Sequence, residues 1–409
     1  MSLFRNYERG YSQETTMSIP VYDPFMAAVV EGDPHALYAE LRGQAPRLFI
    51  ERYNAWFFST FDDVWNLSKR AELSVAGGIT PTQLLLGAPP NEFMVSQMDP
   101  PNHTLYRSAL NTLFKPGAAQ LLEEAMRAEA QALLRGLRAA GGGDLLMEYA
   151  APLAVAVGCW LSGMPREEVP LLMRWTNHFF HRRPDKPGDT EVGGQAGAEM
   201  IAYIGELLAA VRAGRREAHG ALRVLLDEQR NDPSITDDHI IFIVLNLQIG
   251  AGDTVPKSIA AAFHRLWENP AQRDALRAQP DLALAAFLEA VRVDMPTQMQ
   301  GRTATEGFAF DGIEIAPGQK TMFMFAAANR DETEFDSPDR YDIARAGKRT
   351  LGFGNGIHRC LGVHVAQIEG KVAVAEAMVM LPDYTVDLAA SRHHKTEYVK
   401  GWSHLMATF

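Results

Sequence analysis

Apolar residues recur along this chain mostly at three- and four-residue spacing, the period of an amphipathic helix. Read this way, helices are predicted over about 34–44, 61–69, 104–113, 118–140, 145–161, 165–180 and 193–218. The polar run HRRPDKPGDT at 181–190 breaks two of them apart. The longest pattern covers about 237–269, with Thr236 placed to cap it and Asp237 and Asp238 suited to the positive end of its dipole. At 1.5 Å per residue it would span roughly 50 Å. Two shorter helices follow, one of them over 282–294. Short alternating segments predict strands at 48–50 and 56–59, and again at 307–310, 313–315, 321–325, 384–386, 397–400 and 404–408. A Gly- and Pro-containing loop occupies 75–98. The expected class is mainly α, with a small β-rich region drawn from both ends of the chain. Residues 21–409 are expected to form one unit, behind a flexible polar tail over 1–20.

Composition changes this picture little. Of 409 residues, 47% are hydrophobic and 22% charged, ample for a large core. The two cysteines, Cys159 and Cys360, provide no disulfide framework and suit a reducing cytoplasm. Cys159 lies in the apolar run 151–161 and reads as an inert core thiol. No run of about 18 uninterrupted apolar residues marks a membrane span. The polar N-terminal stretch lacks the apolar segment of a signal peptide. A net charge of −11 argues against nucleic acid as a partner.

Candidate chemistry concentrates in residues 353–362, F-G-N-G-I-H-R-C-L-G. Gly354 and Gly356 permit a tight turn and close approach to a flat ligand. Phe353 offers an apolar face beside it, and Cys360 precedes a long apolar helical pattern. Near a helix N-terminus, the amides of Leu361 and Gly362 and the helix dipole favour negative charge. A metal and a helix N-terminus each lower a cysteine pKa from about 8.5 into roughly 3.5–7.5. A thiolate so placed suits the fifth position of a haem iron, where it pushes electron density onto the metal and favours O–O cleavage. The pattern F-G-x-G-x-H-x-C-x-G resembles the haem-binding signature of cytochrome P450, the haem-thiolate monooxygenases. Its fixed positions would coincide by chance in roughly one chain in 10⁵, too rarely for a buried free cysteine to be the better reading.

The resemblance covers nearly the whole chain. It implies the mainly α, orthogonal P450 fold with its small β-rich region, and haem b (iron protoporphyrin IX) ligated by Cys360. In Gly250-Ala251-Gly252-Asp253-Thr254 it implies the oxygen-activating site, where small residues leave room for O₂ and substrate and Asp253 and Thr254 relay protons. Ala251 stands where the family usually has glycine, and its methyl is expected to narrow the pocket. Pro256 removes an N–H and crowds the carbonyl of Gly252. A kink or widened turn is expected there, with that carbonyl available to a water or ligand. Glu289 and Arg292 match the family's E-x-x-R pair and share a helix face. Arg340, in P-D-R-Y at 338–341, matches the arginine that completes the pair, and the three are expected to brace the haem loop. His103, Arg107, Arg302 and His358 match positions that hold the haem propionates, while Phe353, Gly354 and Gly362 match further haem contacts. Substrate contacts are implied in the 75–98 loop, near His178 and Phe179, and at Leu245, Ile249, Gly250, Pro296, Thr297, Met299 and Trp402. No Lys or Arg lies between Arg70 and Arg107, and an unpaired buried carboxylate would be costly. A small, neutral, mostly apolar substrate is therefore expected. The likeness of 295–302 to members acting on aromatic rings favours an aromatic over a terpenoid.

Electrons must come from outside, because no flavin or iron–sulfur signature is present. A ferredoxin and its NAD(P)H-dependent reductase are the expected partners, docking on Arg345, Lys348, Arg349 and Arg359. The whole reads as a monomeric monooxygenase that hydroxylates or oxidatively dealkylates a small molecule. Loss of the acid–alcohol pair would favour a peroxide-driven enzyme. A visible output domain would favour a haem gas sensor or carrier.

Overall fold

A computed structural model describes residues 20–183, 186–345, 347 and 349–409. The expected tail, apart from Pro20, and Lys348 of the expected docking patch lie outside the described residues. Helices dominate, among them His35–Gln44, Asn102–Phe114, Glu123–Ala140, Ala151–Ser162, Val169–Phe179, Glu191–Arg212, Asp237–Glu268, Ala283–Val293 and Val363–Met380. The pattern at 118–140 proves to be two helices, Pro116–Gln120 and Glu123–Ala140. The helix Gly220–Asn231 escaped the sequence reading. Its buried Ala221, Leu222, Leu225 and Leu226 form one narrow stripe in an otherwise polar segment.

The long helix Asp237–Glu268 is the axis of the structure. Thr236 opens it with a capping box: its Oγ1 accepts from the His239 amide at 3.4 Å, and its own amide donates to His239 Nδ1 at 3.1 Å. The helix remains α-helical through Pro256, so the expected widened turn is absent. One missing hydrogen bond is outweighed by packing around a helix buried along much of its length. It packs on Ala151–Ser162, Ala283–Val293 and Glu191–Arg212.

A second contact fixes the helix that follows Cys360. Val363–Met380 lies against Ala283–Val293 and Glu123–Ala140. Gly370 permits the first approach, since a Cβ there would stand 2.3 Å from the Phe287 ring. Gly370→Ala is therefore expected to destabilise the protein by about 1–3 kcal/mol. Urea unfolding checks this, and a change below about 0.5 kcal/mol would show that the helices part without cost.

Both ends of the chain meet in a five-stranded sheet. Its order is Arg47–Ile50, Ala55–Phe58, Lys320–Phe323, Gln300–Ala304, Leu73–Ser74. Ala55–Phe58 and Lys320–Phe323 are parallel, and the other pairs are antiparallel. Near the C-terminus, Gly401–His404 pairs with Arg392–His394, and the strand expected at 397–400 is only an isolated bridge, Val399 to Thr297. One apolar cluster fills the helical region and another lies under the five-stranded sheet. Leu145–Ser162 and Asp237–Glu268 have the length and hydropathy to cross a bilayer, although charged residues such as Glu148, Asp253 and Lys257 interrupt their apolar runs. The first is packed inside this fold, with 78% of its apolar stretch buried, and the second has 44% buried.

Candidate active site

A cavity of about 590 Å³ lies between the two apolar clusters. Cys360 opens onto it from a loop built by glycine. Gly354 and Gly356 have φ of +67° and +76°, in the left-handed region. A Cβ on Gly356 would also stand 2.4 Å from the Ser68 carbonyl oxygen. The Cys360 amide donates to the Phe353 carbonyl at 2.9 Å, closing the loop, and Asn355 Nδ2 donates to the Trp65 carbonyl at 2.9 Å, anchoring it. The following helix begins at Val363 with Gly362 as its N-cap, so Cys360 precedes the helix rather than occupying its first turn. Burial pushes the thiol pKa up; a hydrogen bond from the Gly362 amide and the charges of Arg107 and Arg359 oppose this. The expected depression from the helix terminus alone is thus not found. A coordinated metal removes a thiol proton outright.

Four basic side chains converge on the same cavity: His103, Arg107, Arg302 and His358. The rings of His103 and His358 are 4.3 Å apart. Arg302 is 6% exposed and spends one donor on the neighbouring Gly301 carbonyl at 2.9 Å. Arg107 donates to the Arg359 carbonyl at 2.8 Å. His358 Nε2 is buried without a partner, and burial together with Arg302, His103 and Arg107 pushes its pKa down to about 2. None of the four makes an ion pair among the described residues. Arg302 is thus a buried cation without a counter-charge, a costly state. All four side chains face one cavity with a cysteine on its wall, and Phe353, Gly354 and Gly362 also line it. This donor set fits a flat, dianionic ligand with a thiophilic metal, the chemistry of haem b.

Gly250, Ala251 and Thr254 line the cavity from the long helix. Thr254 Oγ1 donates to the Gly250 carbonyl at 3.1 Å. The Ala251 methyl points at Gly158, where an added Cβ would be 3.3 Å away. Gly158 thus makes room for the methyl that was expected to narrow the pocket. Asp253 is not brought together with Thr254: it is buried, paired with Lys257, and lines a separate small cavity.

Of the residues expected to touch substrate, Phe179, Leu245, Ile249, Pro296 and Thr297 line the large cavity. Met299 and Trp402 do not. Met299 is fully buried under the sheet, where Tyr22 Oη donates to its sulfur at 3.9 Å. Trp402 lies against His393, with ring centres 3.8 Å apart and planes tilted by 31°, and faces the small cavity. The sequence reading missed Phe180, Arg182, Asn246, Gln300, Tyr398 and Glu369, all on the cavity wall. Phe180, Asn246 and Gln300 adjoin expected positions. The others carry no local signal, because distant segments bring them in.

The bracing pair is present and deeply buried. Arg292 donates to Glu289 at 2.8 and 2.7 Å and to the carbonyls of Asn329 at 2.8 Å and Pro338 at 2.7 Å. The third member is Arg345, not Arg340: Arg345 Nε donates to Glu289 Oε1 at 2.9 Å. Arg340 presents its backbone carbonyl to Arg292 and Arg345, and its own guanidinium turns out to Asp342 at 2.6 Å. Arg345 is therefore unavailable for docking, and Arg349 is engaged by Glu334 at 2.6 Å and Asp62 at 3.3 Å.

The cytochrome P450 family model matches residues 281–400, the stretch that carries Glu289, Arg292, Arg302 and Cys360. Cytochrome P450 126 of Mycobacterium tuberculosis is 30% identical over 367 residues, covering 85% of this chain and 87% of that protein. Vitamin D(3) 25-hydroxylase of Pseudonocardia autotrophica is 28% identical over 402 residues, covering 96% and 98%. The crystal structure of CalO2 superposes with a TM-score of 0.83 at 26% identity, covering 95% of this chain and 98% of that one. With the buried glutamate–arginine brace, the cysteine loop and the unpaired basic cluster already in place, this similarity shows that the chain belongs to the cytochrome P450 family of haem b monooxygenases.

Proposed function

We propose that this protein is a cytoplasmic, ferredoxin-dependent monooxygenase that places one atom of O₂ into a small, neutral, mostly apolar substrate, by hydroxylation or oxidative dealkylation. The haem, when bound, supplies oxygen activation at its open face. The chain supplies the walls and the proton path. The observation that carries the substrate reading is the cavity itself. Its lining includes the apolar side chains of Val157, Leu161, Phe179, Phe180, Leu245 and Ile249. About 590 Å³ serves porphyrin and substrate together, so the substrate's share is small. Arg182 lines the wall too, but Asp189 at 3.0 Å and Glu397 at 3.7 Å already balance it, so it does not call for an acidic substrate. Phe179 and Phe180 meet edge to face with ring centres 5.2 Å apart, a surface that favours an aromatic substrate over a terpenoid skeleton.

Substrate-induced spectral shifts with neutral aromatics, terpenes and benzoates test the reading. Neutral aromatics are expected to bind tightest, and preferential binding of benzoates would overturn neutrality. For electron supply, Arg359 and Ile357 are exposed beside the cysteine loop and support docking there. Turnover with ferredoxin, its reductase and NAD(P)H is the expected result.

In this reading Thr254 positions a proton over the open face. Thr254→Ala is expected to lower product formed per NAD(P)H consumed by about 10²-fold, the low end for a positioned proton donor. Substrate affinity should barely change. Unaltered coupling would remove Thr254 from the proton path.

A further inference from the structure

On the long helix, Phe242, Leu245 and Ile249 line the large cavity, and Asn246 stands among them. Asparagine is a poor residue for a helix interior, so its place there asks for a polar role. Its carboxamide has a defined orientation. The Ser96 amide meets it at 3.3 Å. A backbone N–H can only donate, so the atom it meets is the oxygen, Oδ1, and Nδ2 is the other arm of the fork. No acceptor for Nδ2 is found among the described residues. Nor is the side chain sealed in the interior, since Asn246 is half-buried and on the cavity wall. Gln248, the other amide of this stretch, is different: it is 1% exposed, and its Oε1 accepts from Ser162 at 3.1 Å. Elsewhere on the wall, Gln83 and Gln97 bond to each other at 3.0 Å, and Gln300 bonds to Tyr398 at 3.1 Å.

The loop that supplies Ser96 is pinned to the helix a second time. Phe93 stacks on Phe242, with ring centres 5.8 Å apart and planes within 16°. Together the two contacts hold the loop and the plane of the carboxamide before any ligand arrives, the preorganisation that a selective site requires.

We propose that Asn246 is the specificity-determining residue of the large cavity, donating from Nδ2 to a neutral carbonyl oxygen at one end of an aromatic substrate. The proposal rests on the reading that the cavity takes a small, neutral aromatic. Nδ2 carries two N–H groups and no charge, so it suits an uncharged acceptor; a carboxylate held there would gain no counter-charge from it. Position along the helix adds regiochemistry. Gly250 and Thr254 follow Asn246 by one and two turns, about 6 and 12 Å along the axis, and both line the same cavity. A carbonyl held at Asn246 therefore directs oxidation to a carbon roughly 6–12 Å away. The para substituent of an aryl ketone has that reach, and an ortho substituent does not.

Two ligands of one shape test this in the haem-loaded protein: 4-methoxyacetophenone, and 4-isopropenylanisole, in which CH₂ replaces the carbonyl oxygen. Substrate-induced spectral shifts give the affinities. The ketone is expected to bind the parent about tenfold more tightly than the alkene, the worth of one buried hydrogen bond. Asn246→Leu should bring that ratio to about one or less. Asn246→Asp at pH 8 keeps an acceptor for the Ser96 amide but turns an oxygen on the ketone, and should bring the ratio below one. The parent should demethylate 4-methoxyacetophenone far faster than its 2-methoxy isomer, and Asn246→Leu should narrow that difference. A ratio near one in the parent overturns the proposal. So does an unchanged ratio in Asn246→Leu with both affinities reduced, which would assign Asn246 to holding Ser96 alone and leave the neutral-aromatic reading standing. Should Asn246→Leu fail to take up haem, the parent and Asn246→Asp ratios decide. If 4-methoxybenzoate shifts the spectrum and neither neutral ligand does, the neutral-aromatic reading fails and takes this proposal with it.

Discussion

Replacing Cys360 by alanine is expected to abolish monooxygenase turnover while leaving the polypeptide folded. The side chain opens onto a cavity rather than filling a core, so stability of the haem-free chain should change by about 0.5 kcal/mol or less. The basic cluster remains, so some porphyrin should still bind through His103, Arg107, Arg302 and His358. What is lost is the anionic sulfur and the electron density it gives the iron. The burial of this thiol sharpens the expectation. Without metal its pKa is pushed up, so ligation and deprotonation are expected to occur together. Product analysis, with circular dichroism as the folding control, checks it. A folded C360A protein that retained turnover would contradict the assignment.

The second large effect is structural. Arg292 is 1% exposed, and it joins Glu289 to three backbone carbonyls, those of Asn329, Pro338 and Arg340. Arg292→Met would leave Glu289 paired with Arg345 alone and strip those carbonyls of their donor. Breaking a buried pair from one side costs about 3–5 kcal/mol. Urea unfolding should show that loss, together with weaker haem retention, because the segment 329–345 leads into the cysteine loop. Arg345→Met should also be clearly destabilising, since its Nε reaches Glu289 at 2.9 Å. Arg340→Met should cost no more than about 1 kcal/mol, as for an exposed ion pair. Equal effects at 340 and 345 would refute the geometry of the brace.

That contrast shows where sequence reasoning stops. Both arginines lie a few residues beyond Pro338, and the pattern P-D-R-Y pointed to the first. Only the folded turn shows that Arg340 offers a carbonyl where Arg345 offers a guanidinium. Chemistry that depends on one local backbone segment was legible: the Gly354 and Gly356 turn, the Cys360 position, the Thr236 cap, and the basic residues spaced along one helix. Helices with broad apolar stripes were legible too, whereas Gly220–Asn231 hid behind its charged surface. Direction was harder. Adjacent positions on a helix face different ways, and Asp253 and Thr254, read together as a pair, open onto different cavities. Met299 and Pro296 likewise part company on entering a sheet. Arg182 and Tyr398 reach the wall through long-range folding that no local spacing encodes.

The central claim is that the Cys360 sulfur is the anionic ligand of a haem iron held in the large cavity. The carbon monoxide difference spectrum of the reduced, haem-loaded protein tests this most directly. The Soret band should appear at the red-shifted position diagnostic of thiolate ligation, and it should vanish from the C360A protein. A band typical of histidine-ligated haem, or an identical spectrum from both proteins, would contradict the account.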